Sequence, residues 1–215
     1  MGKTAAKGVV VHVVDDDDHV RKSLCRLLEA AGYEARAYAS AGDFLLADPG
    51  DALGCVLLDV KMPGPSGLDL QQALSRRSEP LPVVFLTGHG DIPTTVRALK
   101  AGATDFLTKP VKRETLLEAV ESAITLASAR RAERDELRAL RARYETLTPR
   151  EREVLAQVVA GKLNKQIAGD IGAAERTVKA HRAQVMEKME VGSVAELVRA
   201  AARLSLSAPG TDHRS

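Results

Sequence analysis

Between residues 8 and 125, apolar runs at Val9 to Val14, Cys55 to Leu58, Val83 to Leu86 and Phe106 to Leu107, with a weaker one at Glu34 to Tyr38, alternate with segments of helical period. That alternation builds βαβ units and hence a parallel sheet. The runs are nearly continuous Val and Leu, so both faces of the sheet must be covered by helices. The spacing predicts five strands and five helices in an α/β, doubly wound domain. Val20, Leu24, Leu27, Leu28 and Ala31 share a face of its first helix, and Leu116, Leu117, Val120 and Ile124 a face of its last.

The residues that end these runs are polar, and of a particular kind. Asp15 and Asp16 follow the first run, Asp59 the second, Thr87 the third, and Lys109 stands just past the fourth. In open α/β sheets ligands sit at the carboxyl ends of strands, so these five side chains are expected on one edge. Clustered carboxylates repel one another until a cation arrives. Mg²⁺ takes one or two carboxylates, waters and phosphate oxygens, which suits Asp16 and Asp59 as direct ligands with Asp15 close by or held through water. Phosphoryl transfer needs positioning and positive charge around equatorial oxygens, a task for Mg²⁺, Lys109 and the Thr87 hydroxyl. Asp59, alone after its strand and followed by the rigid turn Pro63-Gly64-Pro65, is the natural carboxylate nucleophile. Ser66 to Asp69 reads as a capping box that opens the next helix. Asp17 and Asp18 read as an acidic helix start, and His12 as a packing residue or a solvated edge of the fold rather than a ligand. His89, just past Thr87, reads as a loop histidine.

Charge is distributed unevenly. Residues 1–125 carry 14 basic and 17 acidic side chains, a net of −3, whereas residues 126–215 carry 17 and 12, a net of +5. A cation-binding part joined to a part that meets phosphate backbone has this polarity. Aromatic residues make up only 3% and Trp is absent, which argues against modules that bind nucleic acid by base stacking. Cys25 and Cys55 lack a CxxC spacing and read as reduced, buried thiols, so a cytoplasmic location is expected. No apolar run approaches the ~18 residues of a membrane span.

From Ile124 to Tyr144 the chain is rich in Ala, Arg and Glu without Gly or Pro, which predicts that the fifth helix continues into a helical linker over residues 126–146. Leu137, Leu140, Tyr144 and Leu147 keep an approximate heptad spacing, too short to define a coiled coil. Thr148-Pro149-Arg150-Glu151 restarts helix with an N-cap, Pro at the first position and a capping box. Short helices follow at about Asn164 to Ile171, Glu175 to Met189 and after Ser193, with a turn at Gly172. Four short helices with that turn read as a helix-turn-helix domain over residues 147–206. Residues 207–215 read as a disordered tail.

The motifs VVHVVDDDD, LLDVKMPGPSG, FLTGHGD and DFLTKP, in this order over residues 8–125, resemble the receiver domain of two-component response regulators. The resemblance implies a flavodoxin-like fold with Asp59 as phosphoacceptor. It further implies Asp15, Asp16 and the Lys61 carbonyl beside Asp59 as Mg²⁺ ligands, Thr87 and Phe106 as the switch pair, and Lys109 as the phosphate-contacting lysine before a cis-proline bond. Phe106 stands where many receivers carry Tyr or His, so an outward hydroxyl is missing.

Residues 147–205, with LTPREREVLAQVVAGKLNKQIA, ERTVKAHRAQVMEKM and VAELVRAAA, resemble the LuxR-type helix-turn-helix of the FixJ/NarL class. The implied recognition helix runs from about Glu175 to Met189, with its first turns in the major groove. Lys179 is then the candidate for base readout, with Ala180 and Ala183 short enough for close groove contact and His181 on the same part of the helix. Asn164, Lys165, Thr177, Arg182 and Lys188 are expected to position phosphates. Where relatives often place Ser before this helix, Ala174 leaves the N-cap without a side-chain acceptor.

These resemblances imply a transcription regulator, not an enzyme, that is phosphorylated on Asp59 by a sensor histidine kinase. Its partners would be promoter DNA, RNA polymerase and a second copy of the chain. The dimer face is expected around Ile92, Val96, Lys100 and Asp105, on the fourth helix and fifth strand. A phosphohydrolase using an aspartyl phosphate is a rival, but it commonly needs a second Asp two residues after the nucleophile, where this chain has Lys61. A constitutive DNA-binding protein with a non-switching receiver is the other.

Overall fold

A computed structural model describes residues 8–48, 52–77, 80–88 and 92–206, with the side chains of 92–94 excepted. The chain divides into two compact units, residues 1–131 and 132–215.

The first unit holds β1 (Val9–Val14), α1 (Asp18–Ala30), β2 (Glu34–Tyr38), α2 (Ala41–Ala47), β3 (Leu53–Asp59), α3 (Gly67–Ser75), β4 (Val83–Thr87), α4 (Ile92–Lys100) and β5 (Asp105–Thr108). It also holds the start of α5 (Arg113–Glu145). All five strands are parallel in the order β2-β1-β3-β4-β5. The expected strands are all present, β1 and β2 with the expected bounds and β3, β4 and β5 one or two residues longer at an end than their apolar runs.

Strand alternation divides the interior in two. Val11, Val13, Cys55, Leu57, Val84 and Leu86 face Leu24 and Leu28 of α1 and Leu116, Val120 and Ala123 of α5. Val14, Val56, Leu58, Val83 and Phe85 face Phe44 of α2, Leu70 and Leu74 of α3, and Ala98 of α4. Both faces are therefore apolar, as continuous Val/Leu strands require. On the second face His12 is fully buried, its Nδ1 3.1 Å from the Tyr38 hydroxyl and its ring edge-on to Phe44. Burial holds the His12 imidazole down at about 4, with Arg36 adding to the effect. Cys25 and Cys55 are free thiols, and burial pushes Cys55 up to about 12.

Helix ends follow the local sequence. Asp17 caps α1 by accepting from the His19 and Val20 N–H groups. Ser66 and Asp69 close the expected capping box on α3, and Thr148 and Glu151 do the same for α6.

The second unit contains the last part of α5, then α6 (Pro149–Val159), α7 (Asn164–Asp170), α8 (Glu175–Lys188) and α9 (Val194–Arg203). Its core gathers Leu155, Ile167, Val178, Val185, Met189 and Leu197. Leu140 and Leu147 join that core and Tyr144 packs against it, which accounts for the heptad-like spacing without a coiled coil. Arg203 pairs with Glu136 at 2.8 Å and Arg143 with Glu190 at 2.6 Å, so residues 132–145 of the expected linker belong to the second unit. Gly172, at φ 61°, makes the turn between α7 and α8, where a Cβ would be strained. The expected tail, 207–215, and His89 lie outside the described residues.

Candidate functional site

The strand order reverses between β1 and β3, which opens a crevice at their carboxyl ends. Asp15 follows β1 there, and Asp59 is the last residue of β3. Carboxylate oxygens of Asp15, Asp16 and Asp59 lie within 4.8 Å of one another. Asp15 is 1% exposed and Asp59 7%, while Asp16 opens to solvent. Three convergent carboxylates, one of them wet, fit a hard divalent cation of Mg²⁺ type that keeps several waters.

The Lys109 ammonium lies 2.6 Å from Asp15 Oδ2 and 3.3 Å from Asp59 Oδ1. Burial disfavours its charge, yet the hydrogen bond to Asp15 and the two carboxylate charges outweigh burial and raise its pKa. Asp59 is pushed up from the usual carboxylate range by burial, with the Asp15 charge adding to the shift and Lys109 opposing it. The Lys109–Pro110 bond is cis, and the Lys109 N–H donates to the Thr87 carbonyl at 2.7 Å.

Backbone register brings the other residues to the same edge. Asp59 pairs with Leu86 and Thr87 with Thr108, so Thr87 ends β4 one step beyond Asp59 and is buried. Phe106 on β5 is half-buried, its ring 6.1 Å from that of Phe85. Lys61 is two residues past Asp59 with its side chain exposed.

Several supports escaped the sequence reading. Asp17 donates its backbone N–H to Asp15 Oδ1 at 3.0 Å, so the α1 cap residue also orients the site carboxylate. Arg21, one turn into α1, holds the Asp15 carbonyl at 2.7 Å. A Cβ on Gly67 would stand 2.2 Å from the Asp59 carbonyl oxygen, so only glycine lets α3 start this close to Asp59. A glycine two residues beyond the Pro-rich turn was the available signal for the last; Arg21 gave none.

Of the residues expected at the dimer face, Val96 is 42% exposed and Lys100 is exposed on α4. Asp105 starts β5 half-buried and accepts the Phe106 N–H, and Ile92 begins α4, its side chain lying outside the described set.

In the second unit, Thr177, Lys179, Ala180 and Ala183 are exposed on the first turns of α8, and His181 and Arg182 are half-buried. Arg182 Nη1 donates to Asn164 Oδ1 at 2.6 Å, which ties α8 to the start of α7. Leu163, Asn164, Lys179 and Arg182 line a shallow cleft, beside which Lys165 is exposed. The 70% exposure of Leu163 had no sequence signature. Ala174 caps α8 with no side-chain hydrogen bond, as expected.

Lys188 has a partner inside its own unit. It ends α8, roughly 20 Å along the helix from Glu175 at 1.5 Å per residue. Its ammonium lies 2.7 Å from Oε2 of the buried Glu151, which in turn accepts the Thr148 N–H. That lysine neutralises a capping-box carboxylate within the second unit.

A parallel α/β unit with an acid cluster and a lysine at its strand ends, carried with a helix-turn-helix unit, defines a phosphoacceptor-type regulator. Residues 11–121 match the response regulator receiver domain family, and residues 145–201 the luxR family of bacterial regulatory proteins. The chain belongs to the two-component response regulators of the FixJ/NarL class, with a receiver domain and a LuxR-type DNA-binding domain. It is 44% identical over 208 residues to Nodulation protein W of Bradyrhizobium diazoefficiens, covering 97% of this chain and 92% of that one. Over 196 residues it is 41% identical to the transcriptional regulatory protein FixJ of the same organism, covering 91% and 96%. The structure of the response regulator StyR superposes with a TM-score of 0.81 at 45% identity, covering 91% of this chain and 99% of that chain. The family regulates transcription through DNA binding. Among the described residues no helix is long and apolar enough to cross a membrane.

Proposed function

We propose that this response regulator is switched by Mg²⁺-dependent phosphorylation of Asp59 and, once phosphorylated, dimerises through the α4–β5 face and binds promoter DNA through α8. The convergence of Asp15, Asp16, Asp59 and Lys109 at the β1/β3 crevice carries this reading.

An Asp59 carboxylate oxygen attacks the phosphorus of a phosphohistidine on a sensor kinase, or of a small acyl phosphate. An O–P bond forms while the bond to the imidazole nitrogen or the acyl oxygen breaks, and the leaving group takes its electron pair. Asp15, Asp16, Asp59 and the Lys61 carbonyl would hold Mg²⁺, which supplies charge neutralisation at the phosphoryl oxygens. Lys109, already between Asp15 and Asp59, turns to the phosphoryl group as a second positive charge. Thr87 and Phe106 then adjust toward the new anion and remodel α4 and β5.

On DNA, Lys179 reads a base edge, with Ala180, His181 and Ala183 on the same turns of α8. Asn164, Lys165, Thr177 and Arg182 position phosphates. Lys61 stands where such a phosphohydrolase would carry its general-acid Asp, which favours a regulator over a phosphohydrolase. The cytoplasm is its site of action, with RNA polymerase downstream.

Intact-mass analysis after exposure to acetyl phosphate tests the first step. The expected result is one phosphoryl group that needs Mg²⁺ and is lost in Asp59→Asn. Phosphorylation that survives in Asp59→Asn, or that proceeds equally in chelator, would sink the reading.

A further inference from the structure

Gln71 on α3 is 3% exposed, in company with Leu70 and Leu74 of the apolar core. Its Nε2 donates to the Ala98 carbonyl of α4 at 3.1 Å, across 27 positions of sequence, while its Oε1 has no hydrogen-bond partner among the described residues. A buried acceptor without a partner is costly. A methionine would fill the same volume without that cost. Packing therefore does not explain an amide here, whereas its bond to α4 does.

The other side of that bond is thinly held. Ala98 is fully buried, but Val96 and Leu99 are 42% and 47% exposed, and Arg97 and Lys100 face solvent. Among the described side chains of α4, Ala98 is the one that is buried, with Val96 and Leu99 only half covered. Elements with few fully buried side chains open at low free energy. The Ala98 carbonyl also accepts the Ala103 N–H at 3.1 Å, so the Gln71 bond falls at the C-terminal end of α4, where helix carbonyls need outside partners.

We propose that Gln71 is a positioning residue that latches α4 in its resting place, and that remodelling of the α4–β5 face on phosphorylation requires the Gln71–Ala98 bond to break. The inference rests on the proposed use of that face in dimerisation. A glutamine with one bond made and one acceptor unmet is a hold that small shifts at the site can release, and its loss biases the face toward the active arrangement.

Hydrogen exchange and sedimentation of the full chain in Mg²⁺, with and without beryllofluoride as a mimic of the aspartyl phosphate, test the latch in Q71M and Q71L. Without beryllofluoride, α4 amides are expected to exchange at least tenfold faster in both variants, with β1, β3 and α1 unchanged. Dimerisation of the unphosphorylated variants should strengthen at least fivefold. Unchanged α4 exchange would overturn the latch, and so would acceleration spread over the whole sheet, which a merely structural core residue would give. Faster α4 exchange in a protein whose parent stays monomeric with beryllofluoride would support the anchoring and refute the dimer reading of the face.

Discussion

The two units place their functional charges in opposite ways. In the receiver they are drawn inward: Asp15, Asp59 and Thr87 are buried at strand ends, and Lys109 balances two carboxylates that burial and mutual repulsion make costly. In the helix-turn-helix unit the candidate readers Lys179, Ala180 and Ala183 stand on an exposed helix surface. Charges inside that unit, Glu151 with Lys188 and Arg143 with Glu190, serve scaffolding. A site that does covalent chemistry needs desolvated, pre-oriented groups, whereas a surface that meets DNA must stay open to it. Substitutions should therefore fail differently: all-or-none at the strand ends, graded on α8.

The largest contrast comes from Asp59→Asn, which should abolish phosphoryl incorporation and any phosphorylation-dependent change in DNA binding while leaving basal binding intact. Gel-shift titrations with and without acetyl phosphate measure both.

Next come two changes worth about 3 kcal/mol or less. His12 is neutral in the fold with its pKa depressed from 6.5 to about 4, so the unfolded chain takes up a proton first as pH falls. Stability is thus lost between pH 6.5 and 4, by roughly 3 kcal/mol, and His12→Val should remove that part of the pH dependence in urea titrations. Lys188→Ala leaves the buried Glu151 without its cation and should cost about 1–3 kcal/mol of the second unit's stability. The salt dependence of DNA binding should stay unchanged, where a phosphate contact would reduce the slope by about one.

On α8 itself, Lys179→Ala should cost about 1–3 kcal/mol and relax preference at one base pair, whereas Lys165→Ala should weaken binding to all sequences alike. Binding-site selection with each variant separates the two. Smallest of all, Ala174→Ser supplies the missing N-cap acceptor and should raise the second unit's thermal stability by about 1 kcal/mol.

The same contrast explains what the sequence could reveal. Continuous Val/Leu runs ending in Asp, Thr and Lys give both the strands and the edge on which their last residues meet, because a parallel sheet leaves them nowhere else to go. Capping boxes at Ser66 and Thr148 were equally legible, being local. Supports made by tertiary contact were not: Arg21 on the Asp15 carbonyl, Gln71 on Ala98 and Lys188 on Glu151 join residues that no periodicity relates. The Lys188 partner was hidden because only geometry shows that its end of α8 faces a buried glutamate. Leu140 and Leu147 looked like a heptad because the helical connector carries an apolar face, but that face is used within the second unit.

Sedimentation velocity of the full chain in Mg²⁺, with and without beryllofluoride and with Asp59→Ala as control, tests the central claim most directly. The parent alone is expected to shift from monomer to dimer. A parent that stays monomeric, or an Asp59→Ala variant that dimerises equally, would contradict it.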